Sequence, residues 1–78
     1  MGPMTKIRRE RGLSMSEFAG KVDLSLITLI RIERGISRIP LKAYRPITSL
    51  GIDFFQLTID QEKYLRTRRR YHDPLTTV

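Results

Sequence analysis

Apolar residues recur along this chain at helical spacing, in short stretches punctuated by glycine, serine, aspartate and proline. Met4 and Ile7 share a face with Arg11 at i, i+3, i+7, which predicts a first helix over 4–11, ended by Gly12. Phe18, Ala19 and Val22 form the inward stripe of a second helix, 15–22. Ala19 is small where a third helix must cross closely. Leu29 and Ile32 mark the inside of that third helix, 26–34, and Leu24 plugs the turn before it. Pro40 suits the first turn of a fourth helix, whose inward residues would be Leu41, Tyr44 and Ile47. Pro46 falls inside it. A proline in a helix interior removes a hydrogen bond and costs ~3 kcal/mol, so this helix is expected to break or restart there. Gly51 ends it, and Asp53 would cap a short fifth helix, 54–57. Asp60 would cap a last helix from Gln61 to about Tyr71, whose stripe of Tyr64, Leu65, Arg68 and Tyr71 is thin. Residues 72–78 read as a disordered tail.

Capping chemistry sharpens the middle of this pattern. Ser14-Met15-Ser16-Glu17 is a capping box, in which the serine hydroxyl accepts from the Glu17 amide and the Glu17 carboxylate accepts from the Ser14 amide. Ser25 is an N-cap for the third helix, and Gly35 stops it as a left-handed residue. Asp23-Leu24 leaves room only for a sharp turn. Two helices held at a large angle by such a turn form a helix-turn-helix, whose second helix is shaped to enter a DNA major groove. The run from Leu13 to Gly35 resembles the phage repressor and Cro family, also called the Xre-type helix-turn-helix. The typical pattern of that family reads Leu-Ser-Gln-Glu-Glu-Leu-Ala, then Gly-Val-Ser, then Ile-Ser-Arg-Ile-Glu-Arg-Gly. The matching residues are Leu13, Ser14, Glu17, Phe18, Ala19, Val22, Leu24, Ser25, Thr28, Leu29, Arg31, Ile32, Glu33, Arg34 and Gly35, without a gap. A looser likeness covers Met4 to about Leu57 and departs from the pattern at Pro46 and before Leu50-Gly51, where a residue is missing. The expected fold is all-α: a compact five-helix repressor-like domain over 4–58, a basic C-terminal helix or extension over 59–71, and the tail.

Composition agrees with one small domain. A chain of 78 residues buries only about 60% of its unfolded surface. It has no cysteine, so neither a disulfide nor a thiolate metal site supplements the core, which fits a reducing cytoplasm. No apolar run approaches the ~20 residues of a membrane span, and no signal-peptide stretch opens the chain. Met1-Gly2-Pro3 reads as a non-native leftover before a start at Met4. Fifteen basic against eight acidic residues give a formal charge of +7, a bias towards polyanions. A membrane surface would share that attraction, but the amphipathic basic stretch it needs is poor here. Arg66-Thr67-Arg68-Arg69-Arg70 is either a phosphate-binding arm or a solvated helix end favoured by the helix dipole.

The resemblance implies roles for particular residues. It places base-edge contacts on Leu26, Ile27 and Arg31, with Ile30 beside them. It places DNA-backbone contacts at Ser14, Met15 and Ser25 and, after the third helix, at Arg34, Arg38, Lys42 and Arg45. Met15 stands where the family carries glutamine, and cannot hydrogen-bond a phosphate. Arg8 and Glu33 match a partly buried ion pair between the first and third helices. The fifth helix often helps dimerisation in the family, which makes Phe54, Phe55 and Leu57, or Tyr64 and Leu65, candidate dimer residues unless they fill the core; one of the adjacent phenylalanines is expected to do so.

The reading face is unusual. Only Arg31 can make a bidentate bond to guanine; leucine and isoleucine read shape and the thymine methyl. Three accounts stay open. Leu26, Ile27 and Ile30 touch thymine methyls, or they bind a protein such as a partner helix, an antirepressor, a toxin or a second copy, or the C-terminal helix folds over them. Catalysis has no support. His72 is single, Asp53 and Asp60 are better explained as caps, and no metal cluster, cofactor loop or nucleophile pair is present. The expectation is a non-enzymatic, cytoplasmic, sequence-specific regulator of a bacterium or phage, binding double-stranded DNA as a homodimer. The alternative is a protein-interaction module on the same scaffold.

Overall fold

The computed structural model describes the backbone of residues 1–76 and the side chains of residues 1–67. Five helices follow one another: α1 Pro3–Glu10, α2 Met15–Lys21, α3 Leu26–Glu33, α4 Tyr44–Ser49 and α5 Phe54–Thr76, with a 3₁₀ turn at Leu41–Ala43 leading into α4. Among the described residues there is no strand, and no helix is long and apolar enough to cross a membrane.

Each helix start has a local cause. Pro3 opens α1 at the position where no amide partner is needed, behind Gly2 as N-cap. Ser14 and Glu17 exchange both bonds of the capping box, at 2.9 Å from the Ser14 amide to Oε1 and 3.1 Å from the Glu17 amide to Oγ. Ser25 Oγ accepts from the Thr28 amide at 3.2 Å and starts α3. Asp53 Oδ1 accepts from the Gln56 amide at 3.1 Å and starts α5. The turn between α2 and α3 places Asp23 at φ 57°, in the left-handed region. That is the place where the family pattern carries glycine, and aspartate is among the few other residues that visit it readily. Gly35 closes α3 with φ 75°.

The core collects one stripe from every helix. Met4, Phe18, Val22, Leu29, Ile32, Ala43 and Ile47 have no exposed surface, and Phe54, Leu57 and Leu65 are buried beside them. Burying a side chain such as Phe18 or Leu29 contributes roughly 1.5–3 kcal/mol. Tyr44 meets the edge of Phe54 at 5.2 Å between ring centres and 81° between planes.

Three expectations change. Leu41 and Tyr44 do not face the core: they are 77% and 40% exposed, and Ala43 with Ile47 lies inside instead. The first turn of this region is a tighter 3₁₀ turn, so a face drawn for one continuous helix is out of register. Helix α4 begins at Tyr44, which puts Pro46 third in its first turn, where the missing amide leaves no bond unmade. Finally, the short fifth helix and the separate last helix are one. Asp60 caps nothing; it lies inside α5 and accepts from Gln56 Nε2 at 3.0 Å, one turn back. Helix α5 runs without a break past residue 58 and through 72–76, where a tail was expected. It packs against α1 and α4 and crosses the C-terminal end of α3.

Candidate nucleic-acid interface

Helix α3 carries apolar residues on two sides, one buried and one open. Leu29 and Ile32 hold its inner side, without exposed surface. On its outer side Leu26 and Ile27 are 41% and 63% exposed, Arg31 and Arg34 are exposed, and Ile30 is half-buried. Ile27 and Arg31 are one turn apart and share a face. Leu26 and Ile27 are open rather than folded under α5, which counts against the third account of the apolar face.

Around this face the residues expected at a DNA backbone divide into two kinds. Arg34, Arg38, Lys42 and Arg45 are exposed on the stretch from the end of α3 to the start of α4. Among the described residues, Arg38 is paired with Glu62 of α5, and the other three have no ion pair. Ser14 and Ser25 spend their hydroxyls on capping; Ser25 Oγ also donates to Thr28 Oγ1 at 2.8 Å. What they present outward is the start of a helix. Met15 is half-buried and packs against the core. The arginines Arg68, Arg69 and Arg70 lie outside the described side chains, while Arg66 is exposed on α5. A groove between α1 and the start of α5 carries Glu10, Asp53 and Asp60 against Lys6 alone. Its charge repels a polyanion, so the basic stretch beside α3 is the face that suits DNA.

The inner end of α3 is fixed by a buried charge. Glu33 accepts from Arg8 Nε at 2.8 Å and Nη2 at 3.1 Å, and from Thr5 Oγ1 at 2.9 Å. The two charged side chains are 12% and 3% exposed. Arg8 Nη1 also donates to the Leu13 carbonyl at 3.0 Å, tying the loop before α2 into the same joint. The hydrogen bonds to Glu33 hold the Arg8 guanidinium above its ordinary pKa; partial burial opposes this and the carboxylate charge adds to it. In such a pair desolvation offsets much of the attraction, so its product is a fixed angle between α1 and α3 more than net stability.

Gln61, to which the sequence reading assigned no role, and Tyr64, a candidate dimer residue, complete the joint. Gln61 is buried, and its Nε2 donates to the carbonyls of Ile32 and Ser37, both at 3.0 Å. The Tyr64 hydroxyl donates to the Glu33 carbonyl at 3.0 Å. A signal for Gln61 exists: in one continuous helix, Phe54, Leu57, Gln61 and Leu65 fall on a single stripe.

The candidate dimer residues part company as well. Phe54, Leu57 and Leu65 are spent inside this chain, and Tyr64 is half-buried against Glu33. Phe55 is 69% exposed, with Ile59 one turn further at 50% and the Tyr44 ring 6.2 Å away.

Beyond its own geometry, the chain matches the family model described as helix-turn-helix over residues 4–44, just over half of its length. No curated protein and no solved structure matches it. The matched span takes in α1, α2, α3 and the 3₁₀ turn, with the Arg8–Glu33 joint inside it. On that match the chain belongs to the helix-turn-helix family of phage repressor and Cro type, a family of DNA-binding transcription regulators.

Proposed function

We propose that this protein is a sequence-specific transcription regulator of repressor and Cro type that lays α3 in the major groove of double-stranded DNA and works as a homodimer in the cytoplasm of a prokaryotic or phage-infected cell. The observation that carries the reading is the outer side of α3, where Leu26, Ile27 and Arg31 stand exposed on a helix whose far end is locked by Glu33. Arg31 donates to the two acceptors of a guanine, worth ~1–3 kcal/mol of discrimination. Leu26 and Ile27, with Ile30 beside them, pack on thymine methyls. Arg34, Arg38, Lys42 and Arg45 displace counterions from the phosphates, which gives affinity but no sequence information. Backbone amides at Met15 and Ser25 add contacts at the helix starts, while Ser14 spends both its amide and its hydroxyl in the capping box. Phe55, Ile59 and Tyr44 supply the surface on which a second copy docks. Half-sites then lie about one helical turn apart.

Exposed leucine and isoleucine on a reading helix also favour a second reading, in which this face binds a protein. Selection from a randomised duplex pool at near-physiological salt separates the two. DNA reading gives an enriched, two-fold symmetric, thymine-containing site. Arg31→Ala then relaxes preference at one base, and Arg38→Ala weakens all sequences and lowers the salt slope by about one. Selection without enrichment overturns the repressor reading. In that case Leu26→Ser abolishes capture of a protein partner.

A further inference from the structure

One turn of α5 grips the end of the reading helix. Gln61 donates to the carbonyls of Ile32 and Ser37, Glu62 pairs with Arg38, and Tyr64 donates to the carbonyl of Glu33. The last carbonyls of a helix have no intrahelical partner. Gly35 and Ile36 turn back to satisfy those of Ile32 and Arg31, at 3.1 and 2.9 Å. Among the described residues, the Glu33 carbonyl is met by Tyr64 alone. All four contacts lie between α5 and the seven-residue stretch from the end of α3 to the phosphate anchor Arg38, Ile32 to Arg38.

We infer that α5 is a brace for the reading helix, and that Gln61 and Tyr64 are positioning residues for sequence-specific DNA binding. The inference rests on α3 reading DNA, and it involves residues beyond the 4–44 span of the family match. Gln61 is buried on the inner stripe of α5 between two leucines, Leu57 and Leu65, one turn either side of it. The amide does what leucine cannot: it spans two carbonyls and fixes the end of α3 against the loop that carries Arg38. Arg31 immediately precedes Ile32, so a tilt at this end moves the guanine reader relative to the phosphate anchors.

The test uses the full chain with Gln61→Met and, separately, Tyr64→Phe, each of which keeps volume and removes the bonds. Three readouts are compared: thermal melting, affinity for the enriched duplex and for random duplex, and hydrogen exchange of the Gly35 and Ile36 amides. The brace predicts folded variants whose preference for the enriched over the random duplex falls about tenfold. Affinity for random duplex stays unchanged, and both amides exchange at least about tenfold faster. Unchanged preference with unchanged exchange overturns it, as does an equal loss on both duplexes. If the wild-type chain enriches no site, the DNA reading fails, and the brace stands or falls on exchange alone: faster exchange sustains it and unchanged exchange ends it. Should Gln61→Met not fold, Tyr64→Phe, which loses one hydroxyl, decides.

Discussion

Three donors converge on the carboxylate of Glu33, a charged residue at a buried position, and their removal is asymmetric. Glu33→Ala leaves the Arg8 guanidinium largely buried without its partner, which costs roughly 3–5 kcal/mol. In a domain this small each kcal/mol shifts the melting temperature by about 4–8 °C. Glu33→Ala is therefore expected to lower the melting temperature by more than about 12 °C, and Glu17→Ala, at a fully solvated carboxylate, by much less. Equal shifts in parallel melts would contradict a buried pair. The Arg8 pKa is raised, so its contribution is full below the ordinary arginine value and is lost only above it, outside any working pH. At this scale the sequence was legible where chemistry is local or where the family pattern supplied the partner. Ser14, Ser25 and Asp53 each act on an amide three residues on. Gln61 was not legible, because its partners are 24 and 29 residues away and glutamine is ordinarily a surface residue.

Helix α2 depends on its first turn more than a longer helix would, since seven residues are too few to be stable from propensity alone. Glu17 takes part in both bonds of its cap. The hydrogen bond from the Ser14 amide, and then the contact with the Ser14 side chain, hold its carboxyl below the usual carboxylate range. A depressed carboxyl contributes stability above the ordinary value and loses it as the pH falls through the lowered one. Wild type is thus expected to melt above Glu17→Gln near neutrality, with the gap closing below about pH 4. A gap that persists in acid would mean that the charge is irrelevant to the cap. Helices α4 and α5 show where element boundaries escape a sequence reading. The face drawn through Leu41 and Tyr44 assumed a regular helix, and the 3₁₀ turn displaced it by one position. Asp60 looked like a cap because aspartate often is one; here the Gln56 side chain engages it and the helix continues.

Among the described residues, three surface regions of the molecule differ in character. Exposed arginines and Lys42 flank α3, carboxylates line the groove between α1 and α5, and Phe55 and Ile59 share an exposed face of α5. If that last face joins two copies, Phe55→Ser with Ile59→Ser gives a monomer in analytical ultracentrifugation, a selected site shortened to one half, and a melting temperature close to wild type. A double variant that sediments as the wild-type dimer places the interface elsewhere. The fold class and the helix-turn-helix were legible at this scale because they rest on periodicity and caps; the brace was not, because it exists only once distant segments have met. Its order in the chain has a temporal consequence. Synthesis runs from the N-terminus, at about 5–20 residues per second. Helices α1 to α3 leave the ribosome before Gln61, Glu62 and Tyr64 do. On the proposed reading a nascent chain would thus display its basic face before the end of α3 is secured. On that reading, general attraction to nucleic acid would come first in the life of each molecule, and discrimination between sequences would follow once α5 docks.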